Sequence, residues 1–526
     1  MKLKLLSFLF LPVLCFAQQR ADILIKNGKI VDGTGNSWFY GDIAIRKGKI
    51  IAIGNLGKIR SKKVIDAQRH IVAPGFIDVH THIEGDEKKT PTADNFILDG
   101  VTTVITGNCG SSTIDLKKYF RMLDSLKLSV NVATFIGHNN VREAVLGTAN
   151  RAPKPEELTK MKNLVEKAMR DGAVGFSTGL IYIPGTYAKT DEVVLLAKVA
   201  AKYHGVYTSH IRSESQQVFT AIDEAINVGK EAGMPVQISH FKIGKPYWGQ
   251  SDKTLAMIEK ARAEGFDVSI DQYPYTASST TLNSIIPSWA LENGTDSILF
   301  RLHDPIVRKK IKDEMISDME KRQRTNFEYA VVARFKADST YNGKNISEIN
   351  ILQGRKNSIT DEIETILSLT EKGGASMVFH SMDEADVENI MKYPFTMIAS
   401  DSGIREFGEG VPHPRGYGSN ARVLSKYVRD RHILKLEDAI RRMTSLPAQK
   451  FGFKNRGLLR EGMAADIIIF DAVTVSDLST YAKPHQYSTG FEYVIVNGKL
   501  IVDNNKHTGI RSGKILYGPG YNRTHH

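Results

Sequence analysis

The sequence predicts an α/β protein: a closed, TIM-like (β/α)8 barrel beside a small β-sandwich domain built from both ends of the chain. Apolar runs at 71–79, 101–106, 130–136, 206–210, 236–240, 267–273, 377–380 and 397–401 alternate with helical stretches. Strands that alternate with helices lie parallel, and about eight repeats suffice to close a barrel. The first run, Ile71 to Val79, lacks polar alternation and is rich in β-branched residues, as strands buried on both faces are. A third observation sets the flanks apart. Short alternating segments with Gly turns occupy 22–25, 29–31, 42–45 and 49–53, and the same character returns at 465–470, 493–498 and 500–502. Those two β-rich ends pair as one discontinuous domain.

Each zone follows in order. Residues 1–17 read as a secretory signal peptide: Lys2 and Lys4 form a positive start, 5–16 an apolar stretch, and Ala17 a small residue before the polar Gln18-Gln19-Arg20. This implies an exported protein, periplasmic or secreted. No later segment reaches the roughly 18 apolar residues of a transmembrane helix, so no integral span is expected after signal removal. Residues 18–69 form the first part of the β domain, 70–455 the barrel, and 456–526 the second β part. A charged, helical stretch at about 290–350 reads as an insertion in the barrel.

Composition narrows the function. The 526 residues are 41% hydrophobic and 24% charged, with a formal net charge of +12, as expected of a large soluble enzyme. Lys and Arg are scattered without the runs and interleaved aromatics of a nucleic-acid groove. The charge suits an envelope surface or anionic small-molecule substrates instead. Of the two cysteines, Cys15 lies in the leader, which leaves Cys109 without a disulfide partner.

Candidate metal ligands stand at the ends of the predicted strands. His80-Thr81-His82 directly follows the first barrel run, and residues i and i+2 of a strand point to one side. Cys109 follows 101–106, His210 ends 206–210, His240 ends 236–240 and Asp401 ends 397–401. Barrels of this class place their active sites at that carboxyl face. Four His, one Cys and one Asp suit Zn2+, a borderline ion that takes N, S and O ligands. His380, ending 377–380, reads as a residue supporting the site or as an ordinary packed histidine. Lys242, two residues after His240, shares that strand face.

Several segments carry a family resemblance that covers residues 21–518. These are Ala73-Pro74-Gly75-Phe76-Ile77-Asp78-Val79-His80-Thr81-His82, Gly107-Asn108-Cys109-Gly110, Gly175-Phe176-Ser177-Thr178-Gly179, Ser209-His210-Ile211-Arg212-Ser213-Glu214, Asp271-Gln272-Tyr273-Pro274-Tyr275, His413-Pro414-Arg415 and Gly462-Met463-Ala464-Ala465-Asp466. The chain resembles the amidohydrolase superfamily and, within it, the D-aminoacylases (N-acyl-D-amino-acid deacylases). In that branch a cysteine, here Cys109, stands in for a carboxylated lysine. The resemblance implies a zinc held by Cys109, His210 and His240, and a second, weaker site lined by His80, His82 and Asp401, with Asp401 as general base. It also implies that Lys242, Tyr273 and Ser279 bind the substrate carboxylate, that Tyr182 lines the pocket, and that Arg415 is a further anion partner. Ser402 after Asp401, where Gly is common, and Phe241 after His240 depart from the family pattern. The expected reaction is hydrolysis of N-acyl-D-amino acids or D-configured dipeptides. A cyclic-amide hydrolase of the hydantoinase or dihydroorotase type, or a non-catalytic envelope binding protein, are the alternatives.

Overall fold

The computed structural model describes residues 20–522; the predicted signal segment lies outside them. Eight parallel strands form the barrel: Phe76–Asp78, Val101–Thr106, Asn131–Thr134 continued by Ile136–Gly137, Gly175–Gly179, Val206–His210, Val236–Ile238, Val268–Gln272 and Thr396–Ile398. The third strand is interrupted at Phe135, so that its first part pairs with the second strand and its last two residues with the fourth. Closure falls just beyond the first and last strands, where Thr81 bridges Ser402 and the His82 N–H donates to Ser402 O at 2.9 Å. All six residues of Val101–Thr106 are buried, which explains a run with no polar face.

The connecting helices show why the sequence alternates. Pro155–Asp171 starts on a proline, buries Met161, Val165, Ala168 and Met169, and stops at Gly172 with φ 118°. That is one apolar stripe at helical spacing, ended by a left-handed glycine. Val218–Ala232 ends the same way at Gly233.

Two expectations about strands need correction. Ser376–Phe379 is not a barrel strand; it is the centre of a three-stranded antiparallel sheet with Ser278–Thr281 and Ala330–Arg334. The fourth barrel strand is Gly175–Gly179 instead. It carries no apolar run because its neighbours come too close: a Cβ on Gly175 would lie 2.0 Å from Val206 O, and one on Gly179 2.1 Å from Cys109 O. The insertion is accordingly larger than 290–350. It spans Ser278 to Phe379 between the last two barrel strands, with helices Thr295–His303, Pro305–Lys321, Ile346–Leu352 and Ile359–Glu371 around a separate core that includes Leu302, Ile311, Phe327 and Ile366.

The run 71–79 also divides. Ile71–Pro74 belongs to the terminal β domain, pairing with Arg20–Ile30 and Ile467–Phe470, and only Phe76–Asp78 enters the barrel. Strands from both chain ends form one nine-stranded sheet. It wraps a core of Ile23, Ile25, Ile43, Ile45, Ile467, Ile469 and Ile495, while Ile468 and Phe470 face the barrel. Part of the second end departs from the β domain: Gly513 N–H donates to Leu128 O and Leu516 N–H to Val132 O, so this tail runs along the barrel. Asp466 joins the two units, accepting from Asn131 Nδ2 (3.1 Å), the Asn497 N–H (2.6 Å) and Arg456.

Gly75 is the switch between domains. A Cβ there would lie 2.3 Å from both Oγ1 and Cγ2 of Thr102. Gly75→Ala is expected to destabilise the fold by about 1–3 kcal/mol through overpacking, read as a lower midpoint in chemical denaturation. Thr102→Ala in the same chain should restore part of that loss.

Candidate metal centre

The loops after the barrel strands bring all six predicted ligands to one place. His80 Nε2 lies 3.2 Å from Cys109 Sγ, and the sulfur is 3.6 Å from both His210 Nδ1 and His240 Nε2. On the other side of His80, Asp401 Oδ1 lies 3.5 Å from His80 Nε2 and 3.2 Å from His82 Nε2. The donor atoms cluster as His80–Cys109–His240, His80–His82–Asp401 and His210–Glu214–His240. His80 is common to the first two groups, His240 to the first and third; His80 is the imidazole nearest the sulfur, which adds a fourth close neighbour to the expected triad of Cys109, His210 and His240.

Local backbone makes this possible. Cys109, His240 and Asp401 adopt φ of 52°, 34° and 51°, a left-handed conformation uncommon for residues with a Cβ. Each strand thus turns at its ligand and directs that side chain over the barrel mouth. His80 and His82 are held by main-chain bonds instead. Asp401 N–H donates to His80 O at 2.9 Å and Thr81 N–H to Ile105 O at 3.0 Å.

Carboxylates behind the ligands orient them. Asp271 Oδ1 lies 3.4 Å from His80 Nδ1 and accepts from the His240 N–H at 2.8 Å. Glu214 Oε1 lies 3.0 Å from His240 Nδ1, 3.8 Å from His210 Nε2 and 2.5 Å from Lys242 Nζ. A carboxylate on the far nitrogen sets the tautomer and raises the basicity of the near one. Both acids stand in the sequence segments that resemble the family, but neither was assigned a role; Glu214's position four residues after His210 was the available signal.

Charge fits a cation. Burial alone would raise the Cys109 thiol, but the His80 imidazole beside it and the contacts from His210, His240 and His80 hold it well below the usual thiol range. Burial likewise opposes ionisation of Asp401, which Arg415 first and then His80 and His240 hold well below the carboxylate range. His80 is pushed well above the usual imidazole range; burial opposes this, and the Cys109, Asp271 and Asp401 charges drive it. Protons here balance two buried anions, a role a divalent ion takes over on binding. The buried His210 Nε2 and His80 Nδ1 lack a well-formed hydrogen bond. A soft sulfur, four imidazoles and a carboxylate fit a zinc-type ion.

The remaining predicted residues surround this centre. Tyr182 sets its ring edge against His210, centroids 4.7 Å apart, and its hydroxyl accepts from Thr280 Oγ1 at 3.1 Å. Tyr273 is buried, with the Arg415 guanidinium 4.5 Å and the Lys242 ammonium 5.5 Å from its ring centroid. Arg415 is buried at the start of helix Arg415–Arg422, with Nη1 2.9 Å from Asp401 Oδ2 and Nη2 donating to Ser279 O at 3.1 Å. Ser279 stands on the first insertion strand and donates to Met377 O at 2.8 Å. Lys242 faces the cavity while engaged by Glu214. His380 directly follows the last insertion strand and packs against Tyr481, ring centroids 4.7 Å apart, and is not among the ligand atoms.

A parallel barrel with such a donor set at its carboxyl face is a metal-dependent hydrolase scaffold. Comparison with known proteins is specific. The Amidohydro_3 model, described as the amidohydrolase family, matches residues 63–296 and 319–502, and the chain belongs to that family. It is 32% identical to a D-aminoacylase of Alcaligenes xylosoxydans xylosoxydans over 95% of this chain and 98% of that one. It is 35% identical to an N-acyl-D-glutamate deacylase of the same organism, over 91% and 93%. Among solved structures, the N-acyl-D-glutamate deacylase of Bordetella bronchiseptica, complexed with zinc and a phosphonate inhibitor, superposes with a TM-score of 0.82 at 33% identity, covering 95% of this chain and all of that one.

Glu214→Gln is expected to weaken zinc binding roughly 10–100-fold, measured by competition with a chelator. Unchanged affinity would mean that Glu214 serves Lys242 alone.

Proposed function

We propose that this protein hydrolyses the amide bond of N-acyl-D-amino acids, yielding a carboxylate and a free D-amino acid. The observation that carries it is the Cys109 sulfur within 3.6 Å of three imidazoles, beside a buried carboxylate, Asp401, in a chain aligned almost end to end with D-amino-acid deacylases. The D preference rests on those relatives. Solved hydantoinases, such as one from Thermus sp. at 15% identity, share the fold, and the cysteine ligand favours the linear amide.

His80, His82, Cys109, His210, His240 and Asp401 would hold the zinc, which when bound acidifies water and polarises the scissile carbonyl. Asp401 supplies the proton acceptor. Arg415 keeps it ionised, so a carboxylate oxygen is ready to take a proton from the attacking water and return it to the departing amine nitrogen. Arg415, Tyr273, Ser279 and Lys242 form the polar wall that meets the substrate's α-carboxylate. Tyr182, pinned by Thr280, closes the pocket over His210. The protein is read as exported, supported by the sequence of residues 1–17; a mature chain starting at Gln18 in the extracytoplasmic fraction is the expected result.

Asp401→Asn should retain the tightly held zinc of Cys109, His210 and His240 yet lower kcat by about 10²–10⁴-fold, the usual range for a proton-transfer group. Substantial remaining turnover would assign the base elsewhere. Cys109→Ala should instead lower bound zinc, measured by elemental analysis of dialysed protein.

Zinc binding should release protons at pH 7, because His80 is held above its usual range in the metal-free protein. Apparent affinity should therefore rise with pH through the neutral range. Calorimetry in buffers of different ionisation enthalpy reads the release directly.

A further inference from the structure

The cavity that holds the metal ligands does not end at the α-carboxylate wall. A space of about 380 Å3 runs from His210, His240 and Asp401 past Lys242, Tyr273 and Ser279 to Arg322 and Arg324 of the insertion. Its inner charges are matched: Asp401 faces Arg415, and Glu214 faces Lys242. Its outer end is not. Arg322, Arg324 and Lys245 line it against one acid, Asp318, and that acid is already engaged by Arg322 Nε at 2.5 Å and Gln216 Nε2 at 2.8 Å. Arg212, also on the wall, is paired to Glu224.

Arg324 is the distinctive group. Its guanidinium carbon lies 3.8 Å from the Tyr329 ring centroid, and among the described residues no carboxylate meets it. Stacking uses the face of a guanidinium and leaves the in-plane N–H fork open, the geometry that receives a carboxylate on two bonds. Tyr329 is itself fixed, since its carbonyl accepts from the His380 N–H at 2.8 Å and its ring stacks on Phe327. The platform under Arg324 is therefore rigid, and Arg324 lines the same cavity as Lys242, Tyr273 and Ser279.

We propose that the substrate's amino-acid half carries a second anionic group, and that Arg324, with Arg322 beside it, binds that group. This rests on the deacylase reading above and names its substrate class: N-acyl-D-amino acids with an acidic side chain. Charge excess at the cavity's outer end, and not resemblance at any one position, carries the assignment.

The test uses zinc-replete enzyme and isosteric substrate pairs. Wild type should cleave N-acetyl-D-glutamate with a kcat/KM roughly tenfold or more above N-acetyl-D-glutamine, the range for a hydrogen bond to a charged group. Arg324→Met should abolish that preference by raising KM for the glutamate substrate, leaving the glutamine substrate within about twofold. Arg324→Lys, keeping charge without the fork, should retain only part of it. If Arg324→Met does not fold, the wild-type preference must still shrink as salt rises. Equal or reversed glutamate and glutamine rates in wild type overturn the proposal and leave the deacylase reading standing. A preference that survives Arg324→Met overturns the assignment to Arg324. An Arg324-dependent gain for N-succinyl-D-leucine over N-acetyl-D-leucine would place the second anion on the acyl half and overturn it too. Absence of turnover on every D-substrate overturns the deacylase reading, and this proposal with it.

Discussion

Left-handed backbone at three strand ends is the constraint on which the site depends. Cys109, His240 and Asp401 each hold φ between 34° and 52°, at a cost of about 1 kcal/mol or more apiece. Ordinary strand geometry would carry these side chains on past the barrel mouth. Turned here, they meet the two histidines of the first strand, which the closing bridge between Thr81 and Ser402 pins against the last strand. The barrel is thus closed at the point where its chemistry is assembled, and any loosening of that seam moves His82 and Asp401 relative to one another.

Such a cluster is costly without a cation. A thiolate and a carboxylate share a buried space with four imidazoles, and the protein balances them with protons, with Arg415 on Asp401 and with Lys242 on Glu214. Buried charges persist only when paired. The two cations do more than neutralise. Arg415 keeps Asp401 in its basic form, and Lys242 orients the carboxylate that in turn orients His240. Groups read from the sequence as substrate clamps are therefore also part of the apparatus that readies the ligands.

The insertion, Leu282 to Phe379, brings a second core to the scaffold, so it projects as a firm lobe over one side of the mouth. Ser279 at its base and Arg324 further along it line the same cavity as His210, His240 and Asp401.

Much of this was legible in the chain. Two-sided burial made the barrel strands apolar, and the candidate ligands stand directly at their ends, so the fold class and the six candidate donors followed from pattern, while the branch of the family followed from the resemblance of particular segments. Gly175–Gly179 was overlooked because close neighbours demand glycine where a strand reader looks for Val and Ile. Ser376–Phe379 was taken into the barrel because a short apolar run reads alike in a parallel and an antiparallel sheet, and Ile71 to Val79 passed for one strand because both halves are buried. What the sequence by itself determined is the inventory: which strands carry a donor, and that sulfur, nitrogen and oxygen are on offer together. What only the tertiary structure decided is adjacency: His80 as the imidazole that joins the Cys109 and Asp401 donor groups, Glu214 and Asp271 behind the ligands, and an unmatched arginine at the end of the same cavity. Those are distances between residues far apart in the chain, and periodicity within a strand or helix carries no information about them.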